Sequence, residues 1–142
     1  MKRAVLDDHL LRDLLADDLS AGLARILSDH EPATTNLYLV RLRRSVAAAA
    51  GGALTGSWPV SARRELARRL VALPDDVTVV PMRLLAFRMA ELASRHRLST
   101  LGSEAAAAAE HLLAPLCVWI GDDGPRLRAA MASVGGEYRT IS

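Results

Sequence analysis

Two short apolar segments, each ending in a pair of aspartates, constrain the fold of this chain most strongly. The first spans residues 4–8 (AVLDD) and the second spans residues 116–123 (LCVWIGDD). Each is typical of a buried strand, and a helical pattern follows it. If the two strands are adjacent and parallel, their carboxyl ends bring four carboxylates to one edge of the sheet. Ligands of open parallel sheets bind beyond that edge.

Such a carboxylate cluster is unfavourable unless a divalent cation or hydrogen-bond donors neutralise it. Our hypothesis is that Asp7, Asp8, Asp122 and Asp123 form a metal site or the remainder of one. A simpler interpretation of Asp8 and Asp123 is that they only cap the helices that follow them.

Hydrophobic periodicity predicts strands and helices that alternate along the chain. Strands are predicted at 3–7, 77–81, 116–120 and 138–141, with a short strand or turn at 33–36. Helices are predicted at 10–19, after Ser20, at 37–50, after Ser61, at 83–96, at 104–113 and at 125–134. This order predicts one α/β domain, 1–142, of three layers, with helices on both sides of a central parallel sheet of about five strands.

Composition narrows the environment and the possible partners. Lys2 is the only lysine, so arginine carries nearly all of the positive charge, and arginine suits bidentate contact with phosphate or carboxylate. Cys117 is the only cysteine, which excludes an internal disulfide and fits a reducing compartment. We find no secretory signal and no apolar stretch long enough to span a membrane, so we expect a cytoplasmic protein without membrane contact.

Three parts of the sequence resemble the PIN-domain family, the nuclease domain of many bacterial toxin–antitoxin toxins. Residues 4–7 are similar to its first strand and first catalytic aspartate, and residues 77–81 are similar to its middle strand. Residues 98–99 with the alanine-rich helix, followed by residues 114–122, are similar to its C-terminal half. Two acids of the family are absent: residues 35–41 contain none, and Gly102 stands where the third is expected, with Ser103-Glu104 following.

The resemblance implies a metal-dependent endoribonuclease. Mg²⁺ or Mn²⁺ would be held by Asp7 and Asp122, with Glu104 as a third catalytic acid and Asp8 and Asp123 as possible substitutes. The ion would activate a water and offset charge on the phosphate. Arg41, Arg43 and Arg44 would hold the RNA backbone. An antitoxin or other protein partner is expected.

Two other functions remain open from the sequence. The missing acids favour a degenerate PIN-like scaffold that binds protein or nucleic acid without catalysis, and a small α/β ligand-binding domain is a third possibility. Under each of them we expect a homodimer, because the apolar content is high for this length. Leu10, Leu14 and Trp58 are candidate interface residues, although burial in the core is the alternative for the two leucines.

Overall fold

Five parallel strands form the centre of the fold. In the computed structural model, which describes residues 2–48 and 52–142, the strands lie in the order β3-β2-β1-β4-β5. All neighbouring pairs are parallel. The strands are β1 (Lys2–Leu6), β2 (His30–Thr34), β3 (Thr78–Val79), β4 (Leu116–Trp119) and β5 (Tyr138–Ile141). The predicted parallel sheet of about five strands is confirmed.

Seven helices connect the described strands. They are α1 (Asp8–Leu15), α2 (Ala21–Leu27), α3 (Asn36–Ala47), α4 (Val60–Val71), α5 (Ala86–His96), α6 (Thr100–Leu112) and α7 (Pro125–Ser133). Two short 3₁₀ turns, Met82–Leu84 and Ile120–Asp122, precede α5 and α7. Within the described ranges no helix is both long and apolar enough to cross a lipid bilayer.

Alternation along β1 explains why both faces of the sheet are covered. Val5 packs into a cluster with residues of α5, α6 and α7, whereas Ala4 and Leu6 pack with residues of α1 and α2 on the other face. Successive strand residues point to opposite faces, so a strand that is apolar throughout needs a layer on each side. The predicted three-layer arrangement is therefore confirmed.

Helix α6 lies in the middle of one layer and has no exposed side in its alanine run. The five residues Ala105 to Ala109 are each at most 1 % exposed. A run longer than one helical turn that is buried throughout must be surrounded on all sides. The small alanine side chains allow that close approach.

Some predicted strand bounds were wrong because the pairing of β2 with β3 determines where these strands begin and end. The strand predicted at 77–81 is reduced to the two residues of β3, because its neighbour β2 ends at Thr34, which pairs with Val79. Conversely, β2 is longer than predicted and includes Pro32. Proline is accommodated because this part of β2 has no partner on the β3 side.

Helix starts and ends differ from the prediction at several caps. Helix α1 ends at Leu15 rather than at 19, and Asp17 then adopts a left-handed φ of 56°. Helix α6 begins after Ser99 rather than Ser103, because Ser99 Oγ accepts a hydrogen bond from the Gly102 amide. Helix α4 has Pro59 at its N-cap, two residues before the predicted cap, Ser61.

The remaining helix and interface predictions have mixed outcomes. Helix α3 ends at Ala47, and Ala48 is already extended, so the helix predicted to 50 is wrong at residue 48; residues 49–50 and the predicted stop at Gly51 lie outside the described ranges. Leu10 is 1 % exposed and belongs to the core, so it is not available for a dimer interface. Trp58 packs against the core, and its ring lies 5.2 Å from the Arg12 guanidinium carbon.

Candidate metal centre

The pairing of β1 with β4 brings the two aspartate-bearing strand ends together. Leu6 lies opposite Cys117 in the sheet, Asp7 follows β1 directly, and Asp122 ends the turn that follows β4. One carboxylate oxygen from each of Asp7, Asp8 and Asp122 lies within 4.8 Å of the other two. We call these three residues the carboxylate cluster. It contains three of the four aspartates that the sequence placed together.

Asp7 is the fixed member of the carboxylate cluster. Its side chain is 2 % exposed and caps α1, with Oδ1 accepting a hydrogen bond of 2.9 Å from the Leu10 amide. Oδ2 accepts a second bond of 2.9 Å from the Trp119 amide at the end of β4. Burial raises the pKa of Asp7 to about 7, with smaller contributions from Asp8 and Asp122, although both backbone bonds oppose the rise.

Asp8 is equally buried but has fewer partners. Its Oδ1 accepts a hydrogen bond from the His9 amide, and Arg41 Nη1 on α3 lies 3.1 Å from Oδ2 in an ion pair. Oδ2 nevertheless has no well-aligned hydrogen-bond donor among the described residues. Burial raises the pKa of Asp8 in spite of Arg41. The N-cap of α1 is Asp7, so Asp8 does not have the capping role that was considered from the sequence.

Asp122 completes the carboxylate cluster from an exposed turn whose shape depends on its neighbours. The Trp119 ring covers Gly121 so closely that a Cβ on that residue would lie 2.0 Å from the ring. Trp119 also stacks on His9, with ring centroids 4.0 Å apart and planes 9° apart. No sequence pattern indicates this stack, because the two residues are far apart in the chain.

Asp123 lies outside the carboxylate cluster. Its Oδ1 accepts a hydrogen bond of 2.9 Å from the Tyr138 hydroxyl, and Arg128 Nη2 lies 3.1 Å from Oδ2. These contacts, led by the Tyr138 bond, lower the pKa of Asp123. It does not cap α7, because the cap residue of that helix is Gly124. The structure thus assigns Asp123 neither of the two roles considered from the sequence.

Glu104 also lies outside the carboxylate cluster, although its side chain is fully buried. Oε1 accepts a hydrogen bond of 2.9 Å from the Leu37 amide, and Oε2 accepts two of 3.2 Å from the backbone and side-chain nitrogens of Asn36. Asn36 in turn donates to the Val80 carbonyl. Glu104 therefore joins α6 to the first turn of α3.

The three arginines predicted to bind nucleic acid occupy different surroundings. Arg41 lies at the carboxylate cluster, whereas Arg43 Nη2 donates to the Leu70 carbonyl on α4. Arg44 lines a separate depression beside Ser45 and Leu54, to which Arg41 also contributes. Only Arg41 therefore lies beside the acidic residues.

A cleft of about 400 Å³ opens over the carboxylate cluster. It is lined by the cluster itself, by Leu98, Ser99 and Gly102, and by three arginines, Arg41, Arg97 and Arg126. Arg97 follows α5 with a left-handed φ of 54°, and Arg126 lies in the first turn of α7 and donates to the Arg97 carbonyl. Sequence reasoning did not select Arg97 and Arg126, because only the tertiary fold brings the loop after α5 to this edge of the sheet.

The arrangement combines oxygen ligands with positive charge at the rim. A cluster of three carboxylates of this size can hold a metal ion. The arginines provide donors for an anionic ligand beside it. Comparison of the sequence with protein-family models and with curated proteins finds no match.

Proposed function

We propose that this protein is a PIN-like, divalent-metal-dependent endoribonuclease of the toxin–antitoxin type. One observation carries the proposal: three convergent carboxylates lie in an arginine-lined cleft at the carboxyl edge of a parallel sheet. That edge is where ligands bind in open α/β sheets. The family resemblance of the sequence supports the same assignment.

The residues present fit a Mg²⁺ or Mn²⁺ ion. Asp8 Oδ2 is a buried oxygen without a well-aligned hydrogen-bond donor, and a metal cation in place of Arg41 would supply a better partner. Asp7 and Asp122 would provide the other oxygens. Such an ion activates water for attack on a phosphodiester and offsets the negative charge that develops on phosphate.

The chain itself supplies orientation and substrate binding. The amides of Leu10 and Trp119 hold both oxygens of Asp7, so this ligand needs no rearrangement before binding. Arg41, Arg97 and Arg126 would contact the phosphates of the RNA, which provides affinity without base selection. Glu104 would act by fixing α3, the helix that carries Arg41, and not by touching the substrate.

Cleavage of a single-stranded RNA in the presence and absence of Mn²⁺ tests the proposal. Asp7→Asn and Asp122→Asn should each reduce cleavage by at least about 100-fold, since each removes a charged ligand oxygen. Asp123→Asn is the matched control, because the neighbouring aspartate lies outside the cluster and should retain activity. Absence of cleavage, or cleavage that survives Asp122→Asn, would contradict the proposal.

A second candidate is a degenerate PIN-like scaffold that binds RNA without cleaving it. The Arg41–Asp8 ion pair favours it, because Arg41 already neutralises one of the three carboxylates. In that case RNA binding, followed by fluorescence anisotropy, should be the same in EDTA and in Mn²⁺. Millimolar Mn²⁺ should then leave the melting temperature unchanged, and a clear increase would exclude this function.

A further inference from the structure

A second concave surface lies between α3 and α4 and shares no lining residue with the cleft over the carboxylate cluster. We call it the α3–α4 groove; its volume is about 330 Å³. Three arginines, Arg43, Arg63 and Arg64, line it together with aliphatic side chains. The aliphatic residues are Val46, Ala47, Val60, Ala67, Leu70 and Val71.

One face of α4 supplies most of the groove. Its residues Val60, Arg63, Arg64, Ala67 and Val71 recur at the spacing of a single helical face. Val60 is 53 % exposed and Val71 is 85 % exposed. At a rise of 1.5 Å per residue the face is about 16 Å long, which matches about three turns of a second helix.

The two helices that form the groove carry mostly positive charge. Helices α3 and α4 together contain seven arginines and a single acid, Glu65, whereas the whole chain has a net charge of only +2. The side chain of Arg64 makes no hydrogen bond or ion pair with any other described residue. Arg43 and Arg63 each donate to a backbone carbonyl, of Leu70 and Ala48 respectively, which leaves further guanidinium N–H groups without an anionic partner.

We propose that the α3–α4 groove binds an acidic amphipathic helix of a partner protein. The apolar stripe of that helix would pack between Val60 and Val71, and its flanking aspartates and glutamates would pair with Arg43, Arg63 and Arg64. Buried apolar contact supplies affinity in this mode, and charge complementarity supplies orientation.

Two other occupants fit the groove less well. A nucleic acid would use stacking platforms or hydrogen-bonding side chains between the arginines, and the groove offers aliphatic groups there. A second copy of the chain would need an acidic helix with a free apolar face. The best acidic candidate among the described helices is α1, which buries Leu10, Leu11 and Leu15 in its own core.

Binding of synthetic peptides to the full chain tests this proposal. The probe is a peptide of about 14 residues, with leucines along one helical face and glutamates on both flanks. One control peptide has lysine in place of each glutamate, and another has the same composition in an order without an apolar stripe. We expect the first peptide to bind at least about tenfold more tightly than either control, by fluorescence anisotropy.

A charge exchange locates the site. Arg64→Glu should weaken binding of the glutamate peptide at least about fivefold and strengthen binding of the lysine peptide. Arg95→Glu, on the exposed surface of α5, changes the net charge equally and should alter neither affinity. Equal melting temperatures will show that both variants fold.

Four outcomes would overturn the proposal. The first is that the glutamate peptide does not bind at about 1 mM, and the second is that it binds no more tightly than the peptide without an apolar stripe. The third is that Arg64→Glu and Arg95→Glu have equal effects on binding. The fourth is that a stoichiometric amount of single-stranded RNA displaces the peptide. None of these results depends on RNA cleavage, so this test and that of the nuclease proposal can fail separately.

Discussion

Two regions of this protein bury a carboxylate, and they satisfy it differently. Glu104 is fully buried and accepts three hydrogen bonds at the start of α3, from the Leu37 amide and from Asn36. Asp8 is 2 % exposed and has one oxygen without an aligned donor, with only the ion pair to Arg41 beside it. Burial alone therefore does not distinguish a structural acid from a ligand-binding one.

The positions of the two acids explain the difference. Glu104 faces the amino-terminal end of α3, where unpaired amides and the helix dipole stabilise an anion. Asp8 instead lies beside two other carboxylates, and its pKa is raised by burial and by the charge of Asp122. A buried acid whose donors are complete stabilises the fold, whereas one beside like charges is the better candidate for a metal ligand.

The largest expected effect is the loss of stability on Glu104→Ala. The substitution leaves the part-buried amides of Leu37 and Asn36 without their acceptor, so we expect the free energy of unfolding to fall by about 4 kcal/mol. Urea denaturation followed by circular dichroism measures it. Glu104→Gln keeps one acceptor oxygen and should lose about half as much; a loss below about 1 kcal/mol for Glu104→Ala would contradict the structural role.

Stability without metal should decrease as the pH rises from about 4 to about 7. Asp7 has a pKa of about 7 in the folded chain, above the ordinary value of 3.8. The folded state therefore holds the proton in this range while the unfolded state has lost it, and the resulting stabilisation disappears as the pH passes the folded-state pKa. The shift from 3.8 to about 7 corresponds to about 4 kcal/mol, so we expect a loss of up to that size by urea denaturation in EDTA, and a smaller slope in Asp7→Asn.

Divalent metal should act on the carboxylate cluster and not on Glu104. If millimolar Mn²⁺ is about ten times its dissociation constant, the stabilisation at pH 8 is about 1.4 kcal/mol, or about 3–5 °C in melting temperature. Asp122→Asn should abolish this increase, and Asp123→Asn should retain it. An equal increase in both variants would place the ion elsewhere.

The smallest expected effect on stability concerns Arg41. Its side chain is 49 % exposed, so solvent screens the pair with Asp8, and Arg41→Gln should cost less than about 1 kcal/mol without metal. The same variant should bind Mn²⁺ about three- to tenfold more tightly, because arginine and the cation compete for Asp8. Calorimetric titration measures the affinity, and weaker binding would show that Arg41 supports the site.

The architecture could be predicted from the sequence because local patterns determine it. The apolar segments before Asp7 and Asp122 are strands, and their parallel pairing follows from the helices between them. The strand at 138–141 was predicted with the bounds that the structure shows. The two-residue length of β3 was not predictable, because it depends on where β2 ends.

The site was predictable only in part. Asp7, Asp8 and Asp122 follow from the rule for strand ends, but the contacts of Asp123 and Glu104 depend on partners far away in the chain. Arg128 and Tyr138 bind Asp123, and the start of α3 binds Glu104. Sequence patterns identify an acid near the carboxyl edge of the sheet, whereas the three-dimensional fold determines which hydrogen-bond donors contact it.

The alanine run of α6 has a consequence for how this protein can vary. Its side chains are the smallest that still favour a helix, and each of them is enclosed. A valine or leucine at any of these five positions would displace a neighbouring element, since no side of the helix faces solvent. Glu104 directly precedes the run, so such a displacement would also separate α6 from α3. The tolerance for added volume is therefore low in a segment that contains no reactive group.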